Sequence, residues 1–232
     1  MVKEHKLDNP AWNSLNEIHE TFSIEYQAIK FYNPAYCPFG GAIDKDMATQ
    51  GISEYSSLSD SFFVIGEKPL LNDSITLKRN LICNQMLLKT QIKMELGEEI
   101  IALKDENQRQ DLFNLVSLVQ PGYFKKRTVE LGRYFGIYKG NKLVAASGER
   151  MKMNDFTEIS AIVTHPEHTR KGYAKQLIKY TTDQVFQENK MPYLHVVESN
   201  IHAIKLYEKL GFTTRRKISF WNLSLKINGI KI

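Results

Sequence analysis

The residues with the clearest chemical meaning lie between Thr157 and Ala174. Thr157 to Thr164 reads as a strand, and the loop that leaves it, His165-Pro-Glu-His-Thr-Arg-Lys-Gly172, runs straight into a strongly amphipathic segment. A glycine loop that enters a helix directly from a strand end points several backbone N–H groups at one spot and adds the positive end of the helix dipole. Those are the donors a pyrophosphate needs. Arg170 and Lys171 bring charge to the same place, while Gly172 and Ala174 remove bulk where a ligand must approach the backbone. Read alone, the loop serves as well for a plain strand-to-helix turn. His165 and His168 have metal-ligand chemistry, but Pro166 separates them and no third ligand accompanies them, so no metal is expected. A nucleophilic Gly-x-Ser-x-Gly elbow is absent from the sequence. His195 and His202 are able to line a substrate pocket, although packing or solvent contact is the more usual role for each.

These residues need elements to hold them. After the loop, the stripe Ala174, Leu177, Ile178, Thr181, Val185 and Phe186 predicts a helix, which Pro192 follows. A strand at Tyr193 to Val197, a helix at Ile201 to Leu210 and a β-rich run from Phe212 to Leu225 complete that end of the chain. Upstream, Leu112, Leu115, Val116 and Val119 mark one helical face that Pro121-Gly122 ends. Tyr134 to Tyr138 and Lys142 to Ser147, joined by Lys-Gly-Asn, read as a β-hairpin. From residue 105 onward the order is α, β, β, β, α, β, α, β. The N-terminal part is less regular. Trp12, Leu15, Ile18 and Phe22 predict a helix over Ala11 to Ile24, and Phe31 to Gly41, with its prolines, glycines and aromatics, reads as a packed loop. Its aromatics either pack in a core or line a substrate mouth. Short strands are expected at Ser61 to Ile65 and Leu81 to Leu88. The expected division is a small α/β domain over 1–104 and a second domain over 105–232.

Composition narrows the function. With 42% hydrophobic and 25% charged residues, the chain of 232 residues is an ordinary globular protein, which excludes disordered and collagenous architectures. No apolar run reaches the roughly 18–20 residues of a membrane span. Met1 to Asn9 lacks the apolar core of a secretory signal. Cys37 and Cys83 have no metal spacing and are too few for a disulfide framework, so a reducing cytoplasm is expected. The net charge of +5 divides unevenly: residues 1–105 sum to −5 and residues 106–232 to +10. A polyanionic ligand therefore belongs with the second part. Nucleic acid is a poorer match, because no zinc-finger spacing or aromatic RNA-binding run accompanies the charge.

The second informative cluster, Leu194 to Phe212, contains Asn200, Tyr207 and the pair Gly211-Phe212. Together with Thr169-Arg-Lys-Gly172-Tyr-Ala174 it resembles the GNAT N-acetyltransferase superfamily, and within it the glycine N-acyltransferase-like (FR47-like) branch, over residues 105 to 225. The resemblance implies an α/β (α+β) acyl-CoA N-acyltransferase fold, a mixed central sheet flanked by helices. Thr169, Arg170, Lys171, Gly172, Tyr173 and Ala174 then form the acyl-CoA pyrophosphate loop, with Thr169 standing where the family has Arg or Gln. Main-chain groups of Ile162 and Val163, with Asn200, are the implied contacts to the pantetheine arm, and the N–H of Ile162 the implied oxyanion donor. Glu158 falls where the family has its general base, with Glu149 as the second choice, and Tyr207 matches the acid that protonates the leaving sulfur. The implied reaction moves an acetyl group from acetyl-CoA to a primary amine of a small molecule or amino acid. A catalytically silent acyl-CoA sensor on the same fold is the alternative. Residues 1–104 are the addition expected to shape the acceptor site, a degenerate acetyltransferase-like half by analogy.

Overall fold

The computed structural model describes residues 4–226. The chain forms two compact units, one drawn from the described parts of Met1–Pro34, Pro38–Cys83 and Ile218–Ile232, the other from Ala35–Cys37 and Asn84–Lys217. By contacts the division falls after Cys83, so residues 84–104 lie with the second unit.

In the first unit, α1 (Pro10–Asn16) is followed by β1 (Ser23–Tyr26), β2 (Ile29–Tyr32), β3 (Phe39–Ala42), α2 (Thr49–Tyr55), β4 (Phe62–Ile65) and the start of β5 (Ile75–Leu87). Strands β1, β2 and β3 pair antiparallel, and β3 then pairs parallel with β4 across the α2 connection. Two sequence expectations change here. The helix expected over 11–24 stops at Asn16. Its cap is regular: Asn9 accepts from the Trp12 N–H at 3.4 Å, and Pro10 occupies the first turn. What stops it is a buried polar cluster, in which the Tyr32 hydroxyl lies 2.8 Å from both Ser14 Oγ and His19 Nδ1. Reaching that cluster takes His19 off the helical path, and its N–H bonds to the Ser14 carbonyl at 2.9 Å instead. The loop expected at 31–41 is shorter, covering residues 33–38, because Phe31 and Tyr32 end β2 and Phe39 to Gly41 belong to β3. Phe31 stacks on Tyr55 with ring centroids 3.9 Å apart, and Phe39 meets Phe63 at 5.7 Å, so these aromatics are core rather than mouth.

The second unit holds the rest of β5, β6 (Ile101–Ala102), α3 (Glu106–Val119), β7 (Tyr134–Lys139), β8 (Lys142–Lys152), β9 (Phe156–Thr164), α4 (Tyr173–Gln187), β10 (Met191–Val197), α5 (Ile201–Lys209) and the first part of β11 (Thr213–Leu225). Its strands lie side by side in the order β11, β5, β10, β9, β8, β7, β6. The predicted hairpin is β7 and β8, turned at Gly140 with φ of 59°. Helix α3 begins with a capping box, Asp105 accepting from the Gln108 N–H at 2.9 Å and Gln108 Oε1 accepting from the Asp105 N–H at 3.1 Å.

Alternation along the strands divides the core into faces. Tyr134, Ala146, Ala161 and Val163 pack with Leu112, Leu115 and Val116 of α3. Their neighbours Phe135, Ile137 and Ala145 pack with Tyr173 and Leu177 of α4. The sheet is thus flanked by helices on both faces, as expected for a mixed α/β fold. On the α4 side, Leu194 and Val196 of β10 also meet Tyr207 of α5, Phe212 and Ile178.

Close approach fixes one glycine in this layer. The Tyr134 ring lies across Gly148, so a Cβ there would come within 2.1 Å of Tyr134 Cδ1. Gly148→Ala is expected to displace that ring and destabilise the chain by about 1–3 kcal/mol, the range for an overpacked core. Urea unfolding would show it as a lowered midpoint with unchanged slope.

Candidate functional site

The site is built on a failure of strand pairing. The parallel ladder of β9 and β10 runs from Phe156↔Met191 to Glu158↔Tyr193 and goes no further. Beyond that point the two strands diverge into a wedge. On its other edge β9 carries a bulge: Ala146 pairs with Val163 and Gly148 with Ser160, so Ala161 and Ile162 together oppose Ser147. Ala161 adopts φ of 49°, a left-handed conformation that a residue with a Cβ enters only when its surroundings impose it.

The wedge opens onto the predicted loop. Gly172, with φ of 80°, is the N-cap of α4 and supplies no side-chain acceptor, so the first N–H groups of that helix keep their donor capacity for a ligand. Arg170, exposed beside it, is also left-handed, with φ of 61°. A cleft of about 490 Å³ joins these parts, and its walls include Ile162, Thr169 to Ala174, Asn200 and Tyr207.

The predicted residues occupy this site unequally. Ile162, Gly172 and Ala174 line the cleft. Val163 does not, since it is buried in the α3 core and can offer only main chain. The Thr169 hydroxyl donates to the Pro166 carbonyl at 3.2 Å. Tyr173 packs its ring with Phe135, Ile137 and Leu177, under the Lys139 ammonium 5.5 Å from its centroid, which leaves its backbone to the loop. Asn200 caps α5, accepting from the Ala203 N–H at 3.2 Å. Tyr207 is buried on the cleft wall, and burial pushes its hydroxyl up to about 12, so it stays protonated at neutral pH. His165 and His168 meet edge to face, and no group of three metal-ligating residues exists among the described residues.

The carboxylates behave differently from the expectation of an available base. Glu158 is 1% exposed and takes two hydrogen bonds from Arg150, at 2.7 and 2.8 Å, and another contact from His195 Nδ1 at 2.8 Å. Burial alone would raise its pKa, but the Arg150 charge and these hydrogen bonds hold it down to about 2. Glu149 is also fully buried. Burial pushes its pKa up, yet Arg133 and Lys152 overcome that and hold it below the usual carboxylate range. Glu158 and His195 share one face of the sheet, opposite the face where Leu194 and Val196 meet Tyr207. Sequence reasoning placed Glu158 on the right strand but missed Arg150, eight residues away along the chain, which reaches it only through the register of β8 and β9. His202 and Leu206, in the first and second turns of α5, also line the cleft.

This is the fold of the GNAT acetyltransferases, and residues 134–221 match the family model of FR47-like proteins. A protein of Novosphingobium aromaticivorans assigned to the GNAT family of acetyltransferases superposes with a TM-score of 0.85 at 27% identity, covering 96% of this chain and 100% of its own. A GCN5-related N-acetyltransferase from Kribbella flavida gives 0.64 at 11% identity, over 99% and 98%. A tandem GNAT protein from the clavulanic acid biosynthesis pathway gives 0.53 at 10% identity, over 84% and 77%. No significant match is found among curated proteins. Among the described residues, no helix is long and apolar enough to cross a membrane.

The depressed pKa of Glu158 makes stability sensitive to acid. A carboxylate held near 2 in the folded chain, against 4.5 ordinarily, contributes stability that is complete above the unfolded value. It is lost as pH falls from about 5 toward 2, and amounts to about 3 kcal/mol by the shift. Glu158→Gln is expected to be less stable at pH 7, because Arg150 loses its partner, and to lose less on acidification. Urea midpoints from pH 7 to pH 2 would check the difference in slope.

Proposed function

We propose that the chain transfers an acyl group, acetyl in the simplest case, from acyl-CoA to the primary amine of a small molecule or amino acid. The observation that carries this reading is the wedge between β9 and β10 opening onto the N-terminus of α4 at Gly172. A peptide-like pantetheine arm needs main-chain partners, and the bulged, unpaired edge at Ile162 offers them. A pyrophosphate needs convergent N–H donors and positive charge, which residues 169–174 supply. The groups of the cleft therefore fit acetyl-CoA, and no metal is called on.

The chemistry asks for two proton movements. An amine of pKa near ~10.4 is protonated at neutral pH, and freeing it takes about 4.6 kcal/mol. The neutral nitrogen then attacks the thioester carbonyl, the C–N bond forms and the C–S bond breaks. In this reading the Ile162 N–H, at the bulge, stabilises the oxyanion. Tyr207, still protonated on the cleft wall, gives its proton to the departing sulfur. Neither cysteine is in a disulfide, which fits a cytoplasmic enzyme.

One observation favours the silent acyl-CoA sensor as a second reading. Glu158 is saturated with donors and has little proton affinity, so it is a poor base by itself. Release of free CoA from acetyl-CoA in the presence of a panel of amines separates the two, since a sensor binds without turnover.

The first unit repeats the pairing scheme of the second, three antiparallel strands followed by a helix and a parallel strand. This supports reading the N-terminal part as a degenerate GNAT-like half. At the position of the phosphate loop it carries Asp44 and Asp46, with Asp44 Oδ1 accepting from the Asp46 and Met47 N–H groups at 2.9 and 3.1 Å. A carboxylate already occupies those donors and repels phosphate.

Calorimetry should accordingly give one acetyl-CoA per chain, and Gly172→Asp should weaken binding by tenfold or more through strain, bulk and like charge. Two equivalents, or an unchanged affinity in that variant, would place the phosphate elsewhere. Tyr207→Phe should lower kcat by about 10²- to 10⁴-fold with acetyl-CoA affinity near parental. Its deficit should shrink for thioesters whose thiol has a lower pKa, because such a leaving group needs the proton less.

A further inference from the structure

We propose that His195, rather than Glu158, takes the proton from the acceptor amine, and that Glu158 is the positioning residue that holds its ring; this deepens the acyl-transfer reading and rests on it. The inference comes from a row of side chains that crosses the sheet, one from each of five neighbouring strands. Arg150 on β8 holds Glu158 on β9, and Glu158 Oε1 lies 2.8 Å from His195 Nδ1 on β10. His195 Nε2 lies 3.1 Å from the Gln85 side-chain nitrogen on β5, and Gln85 Oε1 accepts from Arg215 on β11 at 3.0 Å.

The row fixes the tautomer of the imidazole. Arg215 has only protons to give, so it claims the oxygen of the Gln85 amide and turns the amide nitrogen toward His195. A donor facing Nε2 requires a lone pair there. The ring proton is therefore on Nδ1, where the ionised Glu158 accepts it. This places the basic nitrogen on the side of the ring away from the carboxylate, where the Gln85 amide donates to it. The side chain of His195 is 2% exposed, so its orientation is set by these partners rather than by solvent.

Position favours the same assignment. The β9 and β10 ladder ends at Glu158↔Tyr193, and His195 is the first residue of β10 beyond that point on the same face. The imidazole thus stands at the apex of the wedge. Glu158 has both oxygens bound by charged or ring donors, whereas imidazole is the side chain whose ordinary pKa suits proton exchange near neutrality. The charged groups that face the ring are Glu158, with Arg150 behind it, and Arg215 behind Gln85. The Tyr193 ring meets it edge-on at 5.5 Å.

In the step itself, the ammonium takes the place of the Gln85 N–H as the donor to Nε2 and gives it one proton, while the Gln85 oxygen stays on Arg215. The freed amine attacks the thioester, forming the C–N bond. Collapse of the adduct breaks the C–S bond, and the second nitrogen proton lost balances the one Tyr207 gives to sulfur. His195 returns its proton to solvent, so the products are the amide, free CoA and one proton.

The test is the pH dependence of kcat/KM for the full chain, with acetyl-CoA and the amine that it turns over best. His195→Gln is expected to lose about 10²- to 10⁴-fold together with the acid limb of the profile, while acetyl-CoA affinity stays near parental. Glu158→Gln should keep the acid limb, moved to lower pH, because the imidazolium has lost its negative partner. Parental kcat in His195→Gln, or an acid limb that vanishes only in Glu158→Gln, would return the base role to Glu158 and end this assignment alone. A parent chain that binds acetyl-CoA and turns over no amine would end the acyl-transfer reading with it. Ring nitrogen NMR of the unsubstituted chain checks the geometry without catalysis: a proton on Nδ1 and a bare Nε2 are expected, and the opposite tautomer would overturn the proposal.

Discussion

The constraint on which the site depends is that β9 and β10 stop pairing after Glu158 and Tyr193. Backbone N–H and C=O groups inside a sheet must find partners, and a parallel pair that separates in mid-strand gives them up on both edges. The divergence is built in rather than incidental. The bulge at Ala161, held in a left-handed conformation, bends β9 away, while Leu194 and Val196 tie β10 to α5 and to Ile178 of α4. A gap of that kind has a natural occupant in a ligand with its own amide groups. It also opens toward the N-terminus of α4, so main-chain groups and helix-end donors face one continuous cleft.

The wedge also separates the two faces of the sheet. Tyr207 stands on the face of α4 and α5, and Glu158 with His195 on the other. A thioester entering between the strands would present its carbonyl to a nucleophile from one side and its sulfur to a proton donor from the other. Burial acts oppositely on the two polar groups. It raises Tyr207 and keeps its proton in place, but at Glu158 it is overcome by Arg150 and His195, and the carboxylate stays ionised. The buried ion pair at Glu158 is weak evidence of net stabilisation, since both charges lose hydration. Its clearer consequence is orientation: a carboxylate that cannot rotate or protonate is a fixed acceptor for one imidazole N–H.

Much of this arrangement was legible in the sequence because it depends on local chemistry. The helix α4 announced itself through Ala174, Leu177, Ile178 and Val185, and the loop before it through Gly172, since periodicity and a left-handed glycine leave marks within a few residues. The hairpin of β7 and β8 was readable for the same reason. Where distant residues decided the outcome, the sequence was silent or misleading. Ile18 and Phe22 continue a helical spacing, yet Tyr32 draws Ser14 and His19 into a buried cluster that ends α1 at Asn16. Pro34 and Pro38 do lie in the loop between β2 and β3, but the glycines at 40 and 41 also read as loop, although they sit in β3, where Phe39 reaches Phe63. Glu158 could be placed by its strand, but its engagement with Arg150 depends on a bulged register that no local pattern encodes. The row from Arg150 to Arg215 is further out of reach, because its members lie on strands adjacent in space in an order far from their order in sequence.

That row bears on why a histidine beside a carboxylate differs from a carboxylate alone. A buried glutamate able to serve as a base must have its proton affinity raised by burial, and any cation placed nearby to stabilise the fold works against that. Here the cation is present: Arg150 binds both oxygens of Glu158. Moving the basic atom one residue further along the row resolves the conflict. The ion pair can then be as tight as packing requires, because its charge reaches the reacting centre only through an imidazole whose basic nitrogen lies on the far side of the ring. Gln85 completes the logic, since an amide accepts with one end and donates with the other, and can hold the Arg215 guanidinium while leaving Nε2 its lone pair. A lysine at residue 85 could not accept from Arg215, and an ionised aspartate there could not donate to Nε2.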